Sequence, residues 1–240
     1  MHPFELYLTL RARNPAPFAA YMQVGDSSIL SISPERFLRV DPDGWVETCP
    51  IKGTRPRGRE DEEDQRLAED LQQSEKDRAE NIMIVDLLRN DLSRVCLAGS
   101  VRAPSLCQLE RHPTVHHLVS TVVGRLAGGQ DAMTLFRAAF PGGSITGAPK
   151  IRAMQIIADL EQTARSVYCG AIGFFSLTGA MDTSVAIRTA IAEGGRLYFN
   201  AGGGITIDSD PEAEYQETLD KAQAFIRACT SPARREAATR

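Results

Sequence analysis

Glu214, Glu217 and Lys221 follow one another at spacings of three and four in the stretch RLYFNAGGGITIDSDPEAEYQETLDKAQ, residues 196–223. On a helix these three side chains share one face. Two carboxylates on one face suit a hard cation such as Mg²⁺, which takes one or two carboxylates and keeps several waters. Gly202, Gly203 and Gly204 come just before, and glycines let a small anion approach backbone N–H groups with no Cβ in the way. The same letters also describe a glycine-rich turn before a solvated acidic helix, and spacing alone leans towards that plainer description. Lys52 is the second candidate. It stands between Ile51 and Gly53 in the proline-bounded loop PIKGTRPRG, residues 50–58. An amine held out of water there serves as a nucleophile or base, or else pairs with a local acid. Arg188 lies in the apolar run MDTSVAIRTAIAE and needs a partner if buried, either a substrate carboxylate or a structural acid. His116 and His117 are adjacent, so a strand would turn them to opposite faces.

These residues need elements to hold them. The runs 5–10, 17–24 and 28–32 are short, alternating or apolar, and separated by turn pairs, which predicts antiparallel strands. Asp41-Pro42-Asp43-Gly44 predicts a turn joining strands at 36–40 and 45–49. Residues 60–92 predict one long helical region, charged in its first half and apolar in its second, with Glu80 at the edge of the apolar half. Strands follow at 100–110 and 114–127, then a helix at 131–139, a loop FPGGSITGAPK and a helix at 148–162 with an apolar stripe. Strands at 167–178, 181–192 and 196–201 lead to a last helix at 210–228, with Asp208 and Ser209 as its capping oxygens and Pro211 at its start. Roughly ten strands and four helices in hairpin order predict an α+β fold, antiparallel sheets carrying helices on their outer faces. Residues 1–230 read as one catalytic domain and 231–240 as a polar tail. The chain starts inside an expected sheet, so the domain is expected to be incomplete at its N-terminus.

Composition excludes several classes. Net charge is −4 over 240 residues, which gives no basic face for nucleic acid. No apolar run approaches the ~20 residues that span a bilayer, and the first residues lack a signal-peptide pattern. Five scattered cysteines without a CxxC pair point to reduced thiols, a cytoplasmic setting and no zinc cage. Gly142 and Gly147 have P-loop spacing, but Ala148 replaces the required lysine. AGGG at 201–204 is not a dinucleotide fingerprint.

Eight stretches in order resemble the chorismate-utilising enzymes: SPERF (33–37), PIKGTRPRG (50–58), DRAENIMIVDLLRNDL (77–92), HHLVSTV (116–122), FPGGSITGAPKIRAM (140–154), YCGAIGF (168–174), MDTSVAIRT (181–189) and NAGGGITIDSDPEAEYQETLDKA (200–222). Within that family PIKGT resembles the aminodeoxychorismate-forming type, whereas anthranilate synthases resemble PIAGT. The resemblance implies that Lys52 attacks C2 of chorismate and that Glu35 is the general acid. It implies that Glu80, Glu214 and Glu217 meet to bind Mg²⁺. It places Tyr168, Arg188 and Gly202, Gly203 and Gly204 on the enolpyruvyl carboxylate. Lys221 would stand near the ring carboxylate, and Thr54, His117 and Ser144 along the ring, His117 being counted with the catalytic groups. Ammonia would come from a glutamine amidotransferase subunit, giving an aminating transferase of folate biosynthesis. Family members run to roughly twice this length, so two alternatives stay open: an anthranilate-forming enzyme, or a chorismate-binding fragment without turnover.

Overall fold

Pro3 at a first helical position and a reciprocal cap at His2 start the chain as a helix, α1 (Pro3–Arg13), where strand alternation was expected. His2 Nδ1 accepts the Phe4 N–H at 3.2 Å, and the Glu5 carboxylate accepts the His2 N–H at 3.3 Å. Leu6, Tyr7 and Leu10 then fall on one helical face and are buried, while Leu8 points outward. The alternation of Leu6, Leu8 and Leu10 is real, but capping and the Leu6/Tyr7/Leu10 face outweigh it. The computed structural model describes residues 2–230, so the expected tail at 231–240 lies outside the described residues. The fold is α+β, with two antiparallel sheets and their helices, and it divides into two compact units.

One unit comprises residues 2–33 and 187–230. Strands β1 (Phe18–Val24) and β2 (Ser27–Ser33) form a hairpin, and the chain returns later as β10 (Thr189–Glu193), β11 (Arg196–Phe199) and α7 (Pro211–Thr230). The sheet order is β1-β2-β10-β11, antiparallel throughout. Leu30, Ile32 and Ala190 of the sheet pack against Leu6, Tyr7 and Leu10 of α1 and Phe225 and Ala228 of α7. The expected caps Asp208 and Ser209 are not used. Asp210 Oδ1 accepts the Ala213 N–H at 2.9 Å, next to Pro211 in the first turn.

The other unit, residues 34–186, holds β3 (Arg36–Val40), β4 (Trp45–Thr48), β5 (Ile51–Pro56), α2 (Asp61–Gln73), α3 (Glu75–Ser93), β6 (Arg102–Arg111), β7 (Val115–Arg125), α4 (Ala132–Ala139), α5 (Gly143–Thr146), α6 (Lys150–Leu160), β8 (Ala171–Phe175) and β9 (Met181–Val185). Its sheet runs β5-β7-β4-β3-β9-β8, with β6 also paired to β7. The β3–β4 hairpin forms as expected: Asp41 Oδ1 accepts the N–H groups of Asp43 and Trp45, and Gly44 turns at φ +82°. The long helical region breaks in two at Ser74, whose hydroxyl caps α3 through the Asp77 N–H. Strong β-branching in β7 matches its central place in the sheet. The apolar stripe on α6 has a different fate from a core helix. Ile151 and Leu160 are each 75% exposed, and no residue of α6 is fully buried.

Candidate active site

Glu35 follows the Ser33-Pro34 step at which the chain enters the larger sheet. Its backbone carbonyl accepts the Val185 N–H at 3.1 Å, which fixes the residue between β3 and β9. The side chain is only 6% exposed. Burial pushes its pKa from 4.5 to about 7, opposed by a hydrogen bond from Ser144, by the charge of Lys52 and by the Ile51 N–H. A buried carboxyl poised near neutrality can both give and take a proton at physiological pH.

Lys52 reaches this place because β5 is bulged. Ile51 pairs with Val119 and Thr54 with His117, so two residues of β5 stand opposite a single residue of β7. Gly53 makes the bulge possible at φ +83°, where a Cβ would lie 2.8 Å from Leu71 Cδ1. Lys52 Nζ lies 4.0 Å from Glu80 Oε2, with both side chains largely shielded from solvent. Thr54 Oγ1 and His117 Nδ1 are 2.9 Å apart on the neighbouring strand pair. β7 turns His116 and His117 to opposite faces, as their adjacency predicts. Both are buried.

Ser144 sits in α5, a single helical turn within the stretch expected to be a loop. Lys150 anchors the end of that stretch by bonding Asp91 Oδ2 and the Ala139 carbonyl, each at 2.7 Å. Tyr168 precedes β8 instead of lying in it, in a turn closed by its own N–H on the Arg165 carbonyl at 3.0 Å. Burial lifts its phenol well above the ordinary range. Glu35, Lys52, Ser144 and Glu80 therefore gather within one unit, with the Thr54–His117 pair on the strands beside them.

The smaller unit carries the remaining candidates. Arg188 was expected inside a strand, but it sits between β9 and β10 at φ +48°. Its carbonyl accepts the Ile32 N–H at 3.0 Å. Among the described residues its guanidinium makes no ion pair, and burial lowers its pKa. Lys221 Nζ donates to the Gly202 carbonyl at 3.0 Å and pairs with Glu217 at 2.5 Å. Glu214 is buried, and its Oε1 accepts the Ser209 hydroxyl at 2.7 Å. Ser209 thus orients a carboxylate instead of capping the helix, a role with no local sequence signal. A Cβ on Gly203 would stand 2.8 Å from Glu214 Oε2 and 3.9 Å from Glu217 Oε1. Gly202, Gly203, Glu214, Glu217 and Lys221 thus converge, with Gly204 next in the chain.

No group of three or more His, Cys, Asp or Glu side chains stands at metal-holding separations among the described residues. The donor chemistry still suits Mg²⁺. Glu214 and Glu217 present carboxylate oxygens over a glycine whose missing side chain leaves room beside them. Gly203→Ala is expected to displace Glu214 and weaken Mg²⁺ binding about tenfold, since the new methyl competes for that space. Calorimetric titration of Mg²⁺ into both proteins measures this, and equal affinities would refute it.

The family described as chorismate binding enzyme matches residues 1–227. An aminodeoxychorismate synthase component 1 of Salmonella typhimurium is 52% identical over 223 residues, covering 93% of this chain and 49% of that protein. An aminodeoxychorismate synthase of Streptomyces griseus is 54% identical over 225 residues, covering 94% and 31%. The crystal structure of anthranilate synthase component I from Streptococcus pneumoniae superposes with a TM-score of 0.85 at 43% identity, covering 94% of this chain and 50% of that one. The chain thus spans about half the length, or less, of these two curated relatives. No described helix is long and apolar enough to cross a membrane.

Proposed function

The chain belongs to the chorismate binding enzymes, and we propose that it aminates chorismate at C4, giving 4-amino-4-deoxychorismate. One observation carries this reading: a buried carboxyl with its pKa raised to about 7, Glu35, stands beside Lys52 and Ser144. Hydroxide leaves carbon poorly unless it is protonated. Lys52 must lose a proton before it can attack, and Glu35 can take that proton and deliver it to the departing 4-hydroxyl. The Lys52 amine bonds to C2, both double bonds of the ring diene shift (to C1=C6 and C4=C5), and the C4–O bond breaks with release of water. Ammonia then adds at C4 and expels the lysine amine from C2. The ammonia source is proposed to be a glutamine amidotransferase partner, and the product would feed p-aminobenzoate and folate synthesis in the cytoplasm.

Glu214 and Glu217 of the smaller unit would hold Mg²⁺. When bound, the ion supplies the positive charge that lets the ring carboxylate of a dianionic substrate rest near carboxylates. Lys221 adds a second positive charge, and Gly202, Gly203 and Gly204 offer backbone without side-chain obstruction. Arg188 would hold the enolpyruvyl carboxylate. Arg188→Lys is expected to weaken chorismate binding about tenfold or more, because an ammonium cannot reproduce the two-pronged guanidinium contact. Fluorescence or calorimetric titration with chorismate measures it, and unchanged affinity would mean that the arginine is structural.

The deciding experiment mixes the protein with chorismate, Mg²⁺ and an ammonium salt and identifies products by mass spectrometry. 4-Amino-4-deoxychorismate supports the proposal. Anthranilate with pyruvate favours the second reading, which the similarity to an anthranilate synthase keeps open. Chorismate binding without turnover would leave a binding unit.

A further inference from the structure

Asp64 is a buried carboxylate outside the site described above, and four residues gather on it. Arg57 grips it with both prongs, Nε to Oδ1 at 2.6 Å and Nη2 to Oδ2 at 2.9 Å. The Gly58 N–H reaches Oδ1 at 2.9 Å, His116 Nε2 reaches the same oxygen at 2.9 Å, and Arg111 Nη1 approaches Oδ2 at 3.7 Å. The grip of Arg57 in the first place, with Gly58 and His116, holds the Asp64 carboxyl well below the usual carboxylate range. Gly58 can come this close only because it has no side chain, since a Cβ there would lie 2.2 Å from the Asp64 backbone nitrogen.

The placement of these partners gives the cluster its meaning. Arg57 and Gly58 directly follow the last residue of β5, and His116 is the β7 residue opposite Arg55. One carboxylate on the first turn of α2 therefore ties together the two strands beyond the bulge. Within the bulge, Lys52 and Gly53 are not among the paired positions, so their position depends on how the flanking pairs are held. Arg55 also binds Asp70 and Asp77, but its Asp70 contact is largely exposed and correspondingly weak. We propose that Asp64 is a positioning residue: through Arg57 and His116 it fixes the β5–β7 register and so aims the Lys52 amine. The statement rests on the proposed role of Lys52 as the attacking group.

The chain has four lysines, Lys52, Lys76, Lys150 and Lys221, which makes amine labelling a direct measure. Asp64→Asn keeps the size of the side chain but turns a donor towards Arg57. Arg57→Lys is the milder variant and keeps the charge while losing the fork. Each protein is treated briefly with an acetyl N-hydroxysuccinimide ester, and Lys52 acetylation is read against Lys76 by mass spectrometry. The expected result in either variant is about a fivefold change in that ratio, with Lys150 still protected by Asp91. An unchanged Lys52 ratio overturns the proposal. Exposure of Lys150 together with Lys52 also overturns it, because the cluster then only supports the fold. Turnover gives a second readout. Unfolded molecules make neither product, so a falling ratio of aminodeoxychorismate to anthranilate reports the aim of Lys52 and not the folded fraction, and a constant ratio counts against Asp64. A wild-type protein that forms no aminodeoxychorismate sinks the proposed function instead, and the labelling ratio still judges whether Asp64 places Lys52.

Discussion

Under the proposed function, Lys52→Ala is expected to lower the rate of 4-amino-4-deoxychorismate formation by about a thousandfold and to shift the remaining turnover towards addition of ammonia at C2. The size follows from losing the covalent route, which splits one difficult displacement into two easier ones. The direction follows from what stays behind. Glu35 remains buried beside Ser144, so the 4-hydroxyl can still be protonated. With no amine to occupy C2, ammonia meets that carbon directly. Removing the Lys52 charge also takes away one of the influences that lower the Glu35 pKa, so Glu35 stays protonated to higher pH. Two measurements check this. Product ratios are compared for wild type and variant, and the wild-type protein is incubated with chorismate and Mg²⁺ without ammonia to look for an adduct on Lys52. Full activity in the variant together with no adduct would reduce Lys52 to part of the loop.

Glu35→Gln is expected to lower the proposed turnover by about 10²- to 10⁴-fold, the usual worth of a positioned acid. Glutamine keeps the shape and can accept the Ser144 hydrogen bond, but it carries no proton to give. The same substitution changes how stability depends on pH. The pKa is about 7 in the folded protein against 4.5 ordinarily, so between those values the folded state holds a proton that the unfolded chain has released. This contribution is fully present below 4.5 and is lost as pH rises through about 7, for a total of about 3 kcal/mol. Glutamine has no such dependence. The variant should therefore gain on wild type by about that amount when urea midpoints are compared at about pH 5 and about pH 8. Parallel stability curves for the two proteins would show that Glu35 is ordinary in the folded state.

Short-range signals were legible where the determining atoms lie within a few residues of one another. The 41–44 turn and the acidic face of α7 are of this kind. Others misled. Asp208 and Ser209 looked like caps because serine and aspartate commonly serve so, yet Asp210 caps the helix and the Ser209 hydroxyl goes to Glu214. The stretch 5–10 alternates well enough for a strand, yet the His2 cap starts a helix whose Leu6, Tyr7 and Leu10 face meets Leu30 and Ile32 of the sheet. Arg188 looked like a strand residue because apolar neighbours flank it, whereas the chain bends there to pass from one sheet to the other.

The identities of the proposed reactive residues are in the sequence: a lysine in PIKGTRPRG, a glutamate in SPERF, and acids spaced three apart after a glycine run. Their chemistry is not. Nothing within a few residues of Glu35 raises its pKa; the burial that does so exists only once β3 and β9 enclose it, and its partner Ser144 lies far along the chain. Likewise Asp64 reads as one acid among several at a helix start, until β7 brings His116 and the turn after β5 brings Arg57 to the same carboxylate. Local pattern specifies which side chains share a face, because that depends on backbone periodicity. Which distant faces meet depends on sheet order and register. Here these run β5-β7-β4-β3-β9-β8 with a bulge at Lys52, and no short-range periodicity encodes either.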